Sequence, residues 1–427
     1  MHTSVRGARQ GRALRLAAAA EGAAGAFLVG RDGTMAWQVL RVLLVCLLTL
    51  GAVHALRRPS GRANSAAAFV AGLLGISVGV GVGVMQVIKD GDPEVAVAGS
   101  VCLVAGATLA FGGAARLVRS VRHGWRHWVV GAALLVTAFA LVFPTWPAFY
   151  VTNVPRPSVG AARPSDHGVE FRDVRFATPD GVHLSGWYIP SRNRAAVVVL
   201  HGASSTRSAV LEHAVALARH GYGVLLYDAR GHGRSEGRAM EFGWYGDDDV
   251  SGAVSYLQSQ SDVDARRIGA LGLSMGGEQV IGAAAHDTRL RAVVAEGATA
   301  RRGADLEWLS DAYGARGWLS ELWQGYLEYG LTDLLTEARP PTSLHAAAAR
   351  ASPRRLLLIT AGELYAEQQA ATYIRSAAPE SVEVWRVAGA GHTRGLQTSP
   401  RKWERRVLRF LDAAVLPQRP PTGESSR

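Results

Sequence analysis

The sequence predicts a chain of two parts: a four-helix transmembrane domain, then an α/β domain on a mostly parallel sheet with helices on both faces. Three observations carry this. Four apolar runs of about twenty residues fall within the first 150 positions. Beyond position 168, short unbroken apolar runs alternate with amphipathic segments of helical length. Residues 150–167 between the parts are rich in Pro and small polar residues, the composition of a linker.

Each apolar run is long enough to cross a bilayer as a helix. The first, residues 36–56, carries a single charge, Arg41, whose long side chain can snorkel to an interface. Runs 63–88, 95–115 and 128–149 carry none. In the second run Gly75, Gly79 and Gly83 recur at four-residue spacing and predict a face for close helix approach. No Asp, Glu or Lys lies at mid-span, which argues against an ion or proton pathway. The 427 residues are 48% hydrophobic and 19% charged, which excludes a disordered protein and weighs against a purely soluble one. Two cysteines, Cys46 and Cys102, are too few for a disulfide framework or a cysteine-rich metal site.

The net charge of +11 is unevenly spread. Residues 1–149 hold 14 basic and 5 acidic side chains, the remainder 32 and 30. The basic excess flanks apolar runs, a pattern of membrane loops rather than of a nucleic-acid face. Arg57, Arg58 and Arg62 lie in the first loop, and Arg116, Arg119, Arg122 and Arg126 in the third. The second has Lys89 against Asp90, Asp92 and Glu94. Positive loops stay inside, so four spans place the C-terminal domain outside the cytoplasm. The leader arginines Arg6, Arg9, Arg12 and Arg15 argue the opposite way. Met35 directly precedes the first span, and residues 1–35 read as a leader or a mis-assigned start. The balance favours a multi-pass protein of the cell membrane with an extracytoplasmic C-terminal domain.

That domain is expected over 168–415, with a disordered tail over 416–427. Val169–Phe176 and Val182–Ile189 flank Pro179-Asp180-Gly181, a hairpin signal. Continuous apolar strands follow at Ala196–Leu200, Val224–Tyr227, Ile268–Leu273, Ala292–Ala295, Leu356–Thr360 and Val382–Val387. The strand ending at Leu273 runs into Gly272-Leu273-Ser274-Met275-Gly276-Gly277 and then a helix, which fits G-x-S-x-G. Such a turn lifts the serine hydroxyl out of the sheet, and only small neighbours fit around it. It also starts a helix, so the Met275 N–H points at charge developing on a reacting oxygen. A serine needs a base later in the chain, and His392, in Gly389-Ala390-Gly391-His392-Thr393 after the last strand, is in the right place. His201-Gly202-Ala203 closes an earlier strand; the Ala203 N–H is the second candidate oxyanion donor, with His201 a buttress for the loop.

With these motifs residues 168–415 resemble an α/β-hydrolase, of the branch that includes monoacylglycerol lipases and serine-aminopeptidase-like enzymes. The family mark D-x-R-G-x-G-x-S-x-G stands at Asp228-Ala229-Arg230-Gly231-His232-Gly233-Arg234-Ser235-Glu236-Gly237, and Asp249 also fits the pattern. The resemblance implies that this segment is a structural turn beside the active site. It also implies a triad Asp three residues after Gly362, where this chain has Tyr365. Three carboxylates are left for the role, Glu367, Glu363 and Glu296, together with the possibility that the acid is missing. Glu367 also fits a helix-start carboxylate and Glu363 a solvated loop charge.

Between Glu296 and Leu356 an insertion carries Trp308, Tyr313, Trp318, Trp323, Tyr326 and Tyr329. The resemblance makes it a helical cap, about 299–350, whose aromatics line an apolar pocket or pack its own small core. The expected protein is a membrane-anchored serine hydrolase cleaving carboxylic esters, lipid-like ones included, with no metal or organic cofactor. Its expected partners are an ester or lipid substrate and membrane lipids. A peptidase, thioesterase or acyltransferase would share these residues, and a silent hydrolase-fold interaction module is the alternative of a different kind.

Overall fold

The computed structural model describes residues 2–31, 33–57, 61–121 and 124–416, with side chains from Gln10 onward. Arg58, Arg122, the side chains of Arg6 and Arg9, and the tail beyond Leu416 lie outside the described residues. The chain divides into two units: residues 1–155 with 322–337, and residues 156–321 with 338–427.

The first unit is a helical bundle. It comprises α1 (His2–Val29), α2 (Met35–Ala55), α3 (Arg62–Ile88), α4 (Pro93–Arg119) and α5 (Trp125–Val151). Helices α2 to α5 are long and apolar enough to cross a membrane, by length and composition. In the stretch read as a leader or a mis-assigned start, α1 packs on α2 and α4 and buries Leu14, Ala17, Ala18, Ala24 and Leu28. Its small residues on one side allow that approach in spite of the arginines. Arg41 is buried, its guanidinium 5.7 Å from the Trp37 ring one turn earlier.

Helices α3 and α4 touch backbone to backbone. A Cβ on Gly72 would stand 2.3 Å from Ala110 N, one on Gly79 2.4 Å from Leu103 Cβ, and one on Gly83 2.6 Å from the Gly99 carbonyl carbon. Gly75 turns instead to α1, where a Cβ would meet the Glu21 carboxyl at 2.6 Å. The contact face is thus Gly72, Gly79 and Gly83: Gly72 and Gly79 are seven residues, two α-helical turns, apart, and a π-helical turn begins at Gly79. Gly99→Val forces the two backbones apart. It is expected to lower the detergent-solubilised protein's stability by about 1–3 kcal/mol, read as a fall in Tm.

The second unit holds one eight-stranded sheet in the order β1-β2-β4-β3-β5-β6-β7-β8. The strands are β1 (Arg172–Ala177), β2 (His183–Ile189), β3 (Ala196–Leu200), β4 (Gly223–Tyr227), β5 (Ile268–Leu273), β6 (Leu290–Glu296), β7 (Arg355–Ala361) and β8 (Val382–Val387). β1 and β2 pair antiparallel with Phe176 opposite Leu184, and β3 to β8 run parallel. Every residue of β3, β4 and β5 is buried, which is why these strands read as unbroken apolar runs rather than alternating ones. Each buried Val or Leu among them contributes about 1.5–3 kcal/mol relative to exposure. Two apolar layers result, one on each sheet face. The first includes α7 (Gly246–Gln258), α8 (Met275–Ala284), α10 (Leu344–Ala351) and α11 (Tyr365–Ser376). The second includes α6 (Leu211–Arg219) and α12 (Pro400–Val415). α9 (Trp308–Tyr313) lies in the insertion between β6 and β7. Leu344, Ala347 and Ala348, expected in the cap, and Ala351 just after it are fully buried in the main core, since their i, i+3, i+4, i+7 spacing makes one apolar face.

Candidate active site

β5 is central in the sheet and delivers Ser274 at its C-terminal end, between the last strand residue and the first residue of α8. Ser274 has φ 51° and ψ −122°, a conformation costing a non-glycine residue about 1–3 kcal/mol. The surrounding glycines make it possible. A Cβ on Gly272 would lie 2.1 Å from Gly276 O, and one on Gly276 2.5 Å from His201 O. The Ser274 N–H donates to Glu296 O at 2.7 Å, and its carbonyl accepts from Glu278 N at 3.0 Å, which fixes the turn at both ends.

Met275 opens α8, so its N–H is among those with no intrahelical acceptor and lies at the positive end of the helix dipole. The loop after β3 runs against the serine: a Cβ on Gly202 would stand 3.2 Å from Ser274 Cβ. Ala203, next in that loop, is exposed. His201 is buried and structural. Its Nε2 accepts the Ala229 N–H at 3.0 Å, so Nδ1 carries the proton and donates to Gly202 O at 2.7 Å. Burial holds its pKa down to about 4.

His392 Nδ1 meets Glu367 Oε1 at 2.6 Å. Glu367 lies in the first turn of α11 and is only 3% exposed, while its other oxygen accepts the N–H of Ala361, the last residue of β7, at 2.8 Å. That second bond locks the carboxylate. The hydrogen bond to Glu367 raises the His392 pKa, against the opposing effect of partial burial, with smaller contributions from Glu278 and Glu296. Nδ1–H toward the carboxylate leaves Nε2 the free acceptor of the neutral ring. The ring passes Gly297, where a Cβ would approach Nδ1 to 3.1 Å. Gly297 directly follows Glu296, whose carbonyl holds the Ser274 N–H.

The other two carboxylates go elsewhere. Glu363 is exposed, its N–H donating to Ala390 O at 3.2 Å. Glu296 is buried at the end of β6, where Oε1 accepts the Gly395 N–H at 2.7 Å and Oε2 the Trp403 indole N–H at 2.9 Å. It ties the segment after His392 to α12, and burial raises its pKa. The Asp228–Gly237 segment is a tight turn with Gly231, Gly233 and Gly237 at positive φ. Asp228 accepts the Arg207 and Arg234 N–H groups at 2.9 Å each, and Arg230 bridges Asp249 and Asp180.

Sequence reasoning passed over Glu278, one turn beyond Ser274. It is buried, and Oε1 accepts the Thr299 and Ala300 N–H groups at 3.1 and 3.2 Å, pinning the start of the insertion. The available signal was a lone carboxylate in the otherwise apolar helix Met275–Ala284. Burial pushes its pKa up to about 7. A carboxyl raised in the folded state stabilises below its unfolded pKa, and that contribution is lost as pH climbs through the folded value. Glu278→Gln keeps an acceptor oxygen and carries no charge. Its stability is expected to gain on wild type by about 2–3 kcal/mol between pH 4.5 and 8, read by parallel denaturant titrations.

The insertion also touches α11, the helix that carries Glu367. In α9 Trp308 is buried, Tyr313 meets Tyr365 of α11 edge-on at 6.2 Å, and Glu307 accepts the Tyr373 hydroxyl at 2.9 Å. Its roots are clamped by Asp305, which accepts the Arg301 and Leu344 N–H groups at 3.1 and 2.5 Å. Among the described residues no cluster of three or more His, Cys, Asp or Glu is placed to hold a metal ion.

Residues 191–362 match the family model described as serine aminopeptidase, S33. An uncharacterized protein of Mycobacterium tuberculosis is 36% identical over 164 residues, 36% of this chain and 56% of that one. The thiohydrolase AneE of Aspergillus aculeatus is 34% identical over 128 residues, 29% of this chain and 40% of its own. The chain spans about half the length of the curated relatives it matches. Among solved structures, the Pyrococcus furiosus esterase Pf2001 aligns at TM-score 0.48 and 27% identity, over 62% of this chain and 98% of its own. The polyketide transferase GrgF of a Penicillium species is 33% identical over 132 residues, 29% of this chain and 43% of its own. The second unit of this chain has the α/β-hydrolase fold, and its residues 191–362 are similar to the S33 family.

Proposed function

We propose that the protein is a membrane-anchored serine hydrolase that cleaves carboxylic esters through a Ser274, His392, Glu367 triad. The observation that carries this reading is the buried Glu367 carboxylate on His392 Nδ1, in the same unit as a serine held at a strained strand-to-helix turn. Ser274 Oγ adds to the ester carbonyl as His392 Nε2 takes its proton. The N–H groups of Met275 and Ala203 receive the oxyanion. Collapse breaks the ester C–O bond, His392 returns the proton to the departing alcohol, and Ser274 keeps the acyl group. Water, deprotonated by the same histidine, then releases the acid and restores the serine. Glu367 holds the ring in the productive tautomer and offsets the imidazolium charge.

Helices α2 to α5 anchor the enzyme, and the loop charges favour an extracytoplasmic hydrolase unit. Membrane lipids are thus the surroundings of the enzyme and lipid-like esters a natural substrate class. The relatives named as a thiohydrolase and a polyketide transferase favour a second reading, in which the acyl group arrives as a thioester or leaves to an acceptor other than water. The acyl-enzyme at Ser274 is common to both. Labelling of membranes by a fluorophosphonate probe tests it, and unlabelled but folded wild type would leave a silent hydrolase-fold module.

A further inference from the structure

The polypeptide leaves the hydrolase unit after Glu321 and returns to it at Ala338. The residues between belong to the helical bundle: a π-helical turn, Trp323–Tyr329, and a short helix, Gly330–Leu335, both packed on α5. Trp323 meets Phe139 edge-on, ring centroids 6.2 Å apart, and Phe139 in turn stacks on Phe143 at 5.1 Å.

Phe139 stands near the middle of the 27-residue α5, roughly 20 Å from either end at 1.5 Å per residue. A hydrocarbon layer about 30 Å thick centred on that helix contains Phe139, and with it Trp323. The other end of the segment is fixed at the bundle's edge, where Glu337 Oε1 accepts the N–H of Thr34, the residue that precedes α2, at 2.6 Å. The segment therefore runs between the mouth of one span and the middle of another.

Its exposed residues are Leu322, Tyr326, Gly330 and Leu334, with one charge, Asp333. Tyr326 is 75% exposed and Leu334 59%, and Leu135, Val136 and Phe143 of α5, the helix on which the segment packs, are exposed as well. Glu328, two positions from Tyr326, falls on the opposite side of the helix, and Asp333 lies toward the edge end. The helical backbone satisfies its own N–H and C=O groups, the condition for residence in lipid. At 14 residues, 322–335 is too short to span and has the length of a re-entrant element.

From the packing of this segment on α5 at the depth of Phe139, with large apolar residues exposed on both, and resting on the reading that α2 to α5 cross a bilayer, we propose that Leu322–Leu335 is a membrane-resident limb of the hydrolase insertion whose Tyr326 side lies against lipid acyl chains. The insertion roots sit on the hydrolase fold at Arg301, Asp305 and Leu344. One continuous stretch of chain thus runs from the bundle unit into the unit that carries Ser274.

The test uses the full chain with Cys46→Ala, Cys102 being buried, and an environment-sensitive nitrobenzoxadiazole fluorophore on Tyr326→Cys. The protein is reconstituted in phosphatidylcholine vesicles with plain or brominated acyl chains. Brominated chains are expected to quench the probe at least two-fold while aqueous iodide has little effect. Quenching by iodide and not by bromine overturns the proposal, as does quenching by neither, which means that protein covers the site. Leu334→Cys repeats the measurement should Tyr326→Cys fail to incorporate. Fluorophosphonate labelling in the same vesicles reports on Ser274 separately, so a silent serine with a bromine-quenched probe removes the enzyme and keeps the limb.

Discussion

Ser274→Ala is expected to abolish fluorophosphonate labelling and to lower ester turnover by ~10⁶-fold, about 8 kcal/mol of transition-state stabilisation. The effect is large because the hydroxyl is the group that forms the acyl bond, and no neighbouring atom replaces it. What survives in the variant is substrate binding and any stabilisation from the Met275 and Ala203 N–H groups, typically worth 10³–10⁴ over water in such sites. Folding is not the confounder it would be at a core position. Alanine removes one oxygen, and the turn is held by backbone bonds from Ser274 N to Glu296 O and from Glu278 N to Ser274 O, which the substitution leaves in place. Retained labelling in Ser274→Ala would move the nucleophile elsewhere and end the proposed mechanism. A short-chain water-soluble ester is the better first substrate, since its turnover does not depend on delivery from a bilayer.

The parts of the molecule that were legible in the sequence are those set by local chemistry. β3 and β5 are buried on both faces, so their apolar runs are continuous and their ends sharp. The turn at Ser274 needs glycines within three residues of it, and they stand in the sequence as a motif. The carboxylate that meets His392 was not legible to the same degree. Glu363 and Glu367 flank the expected place, and separation along the chain does not say which one faces inward. Three dimensions decide it: α11 begins at Tyr365, which turns Glu367 back toward β7, and the N–H of Ala361 takes its second oxygen. Glutamate has one methylene more than aspartate, and from a helix turn displaced by two residues it still reaches the imidazole.

Long-range packing was least legible. Nothing in the periodicity of residues 322–337 distinguishes a cap helix from a bundle helix, because the partner of Trp323 is Phe139, far back in the chain. The same holds for α1. The alanines that let it pack on α2 and α4 have no meaning until those helices exist.

Glu367→Gln is the variant that separates the two flanking carboxylates, with an expected loss of roughly 10³–10⁴ in kcat, whereas Glu363→Gln stays within about two-fold of wild type. Glutamine keeps an oxygen for the Ala361 N–H, so the fold around β7 and α11 survives. It presents an uncharged group to His392 Nδ1, which no longer fixes the tautomer with Nε2 free and no longer offsets the imidazolium. The pH profile carries the sign of the interaction. Glu367 raises the His392 pKa by favouring the charged ring, and the base works only when the ring is neutral. Activity of the wild type therefore rises with pH through that elevated value. Removing the carboxylate charge lowers the pKa, so the acid limb of kcat/KM is expected to move to lower pH while the plateau falls. A plateau that drops with the limb unmoved would make Glu367 a packing residue. A loss in Glu363→Gln with Glu367→Gln unaffected would give the role to the exposed carboxylate, against the 2.6 Å bond seen at His392.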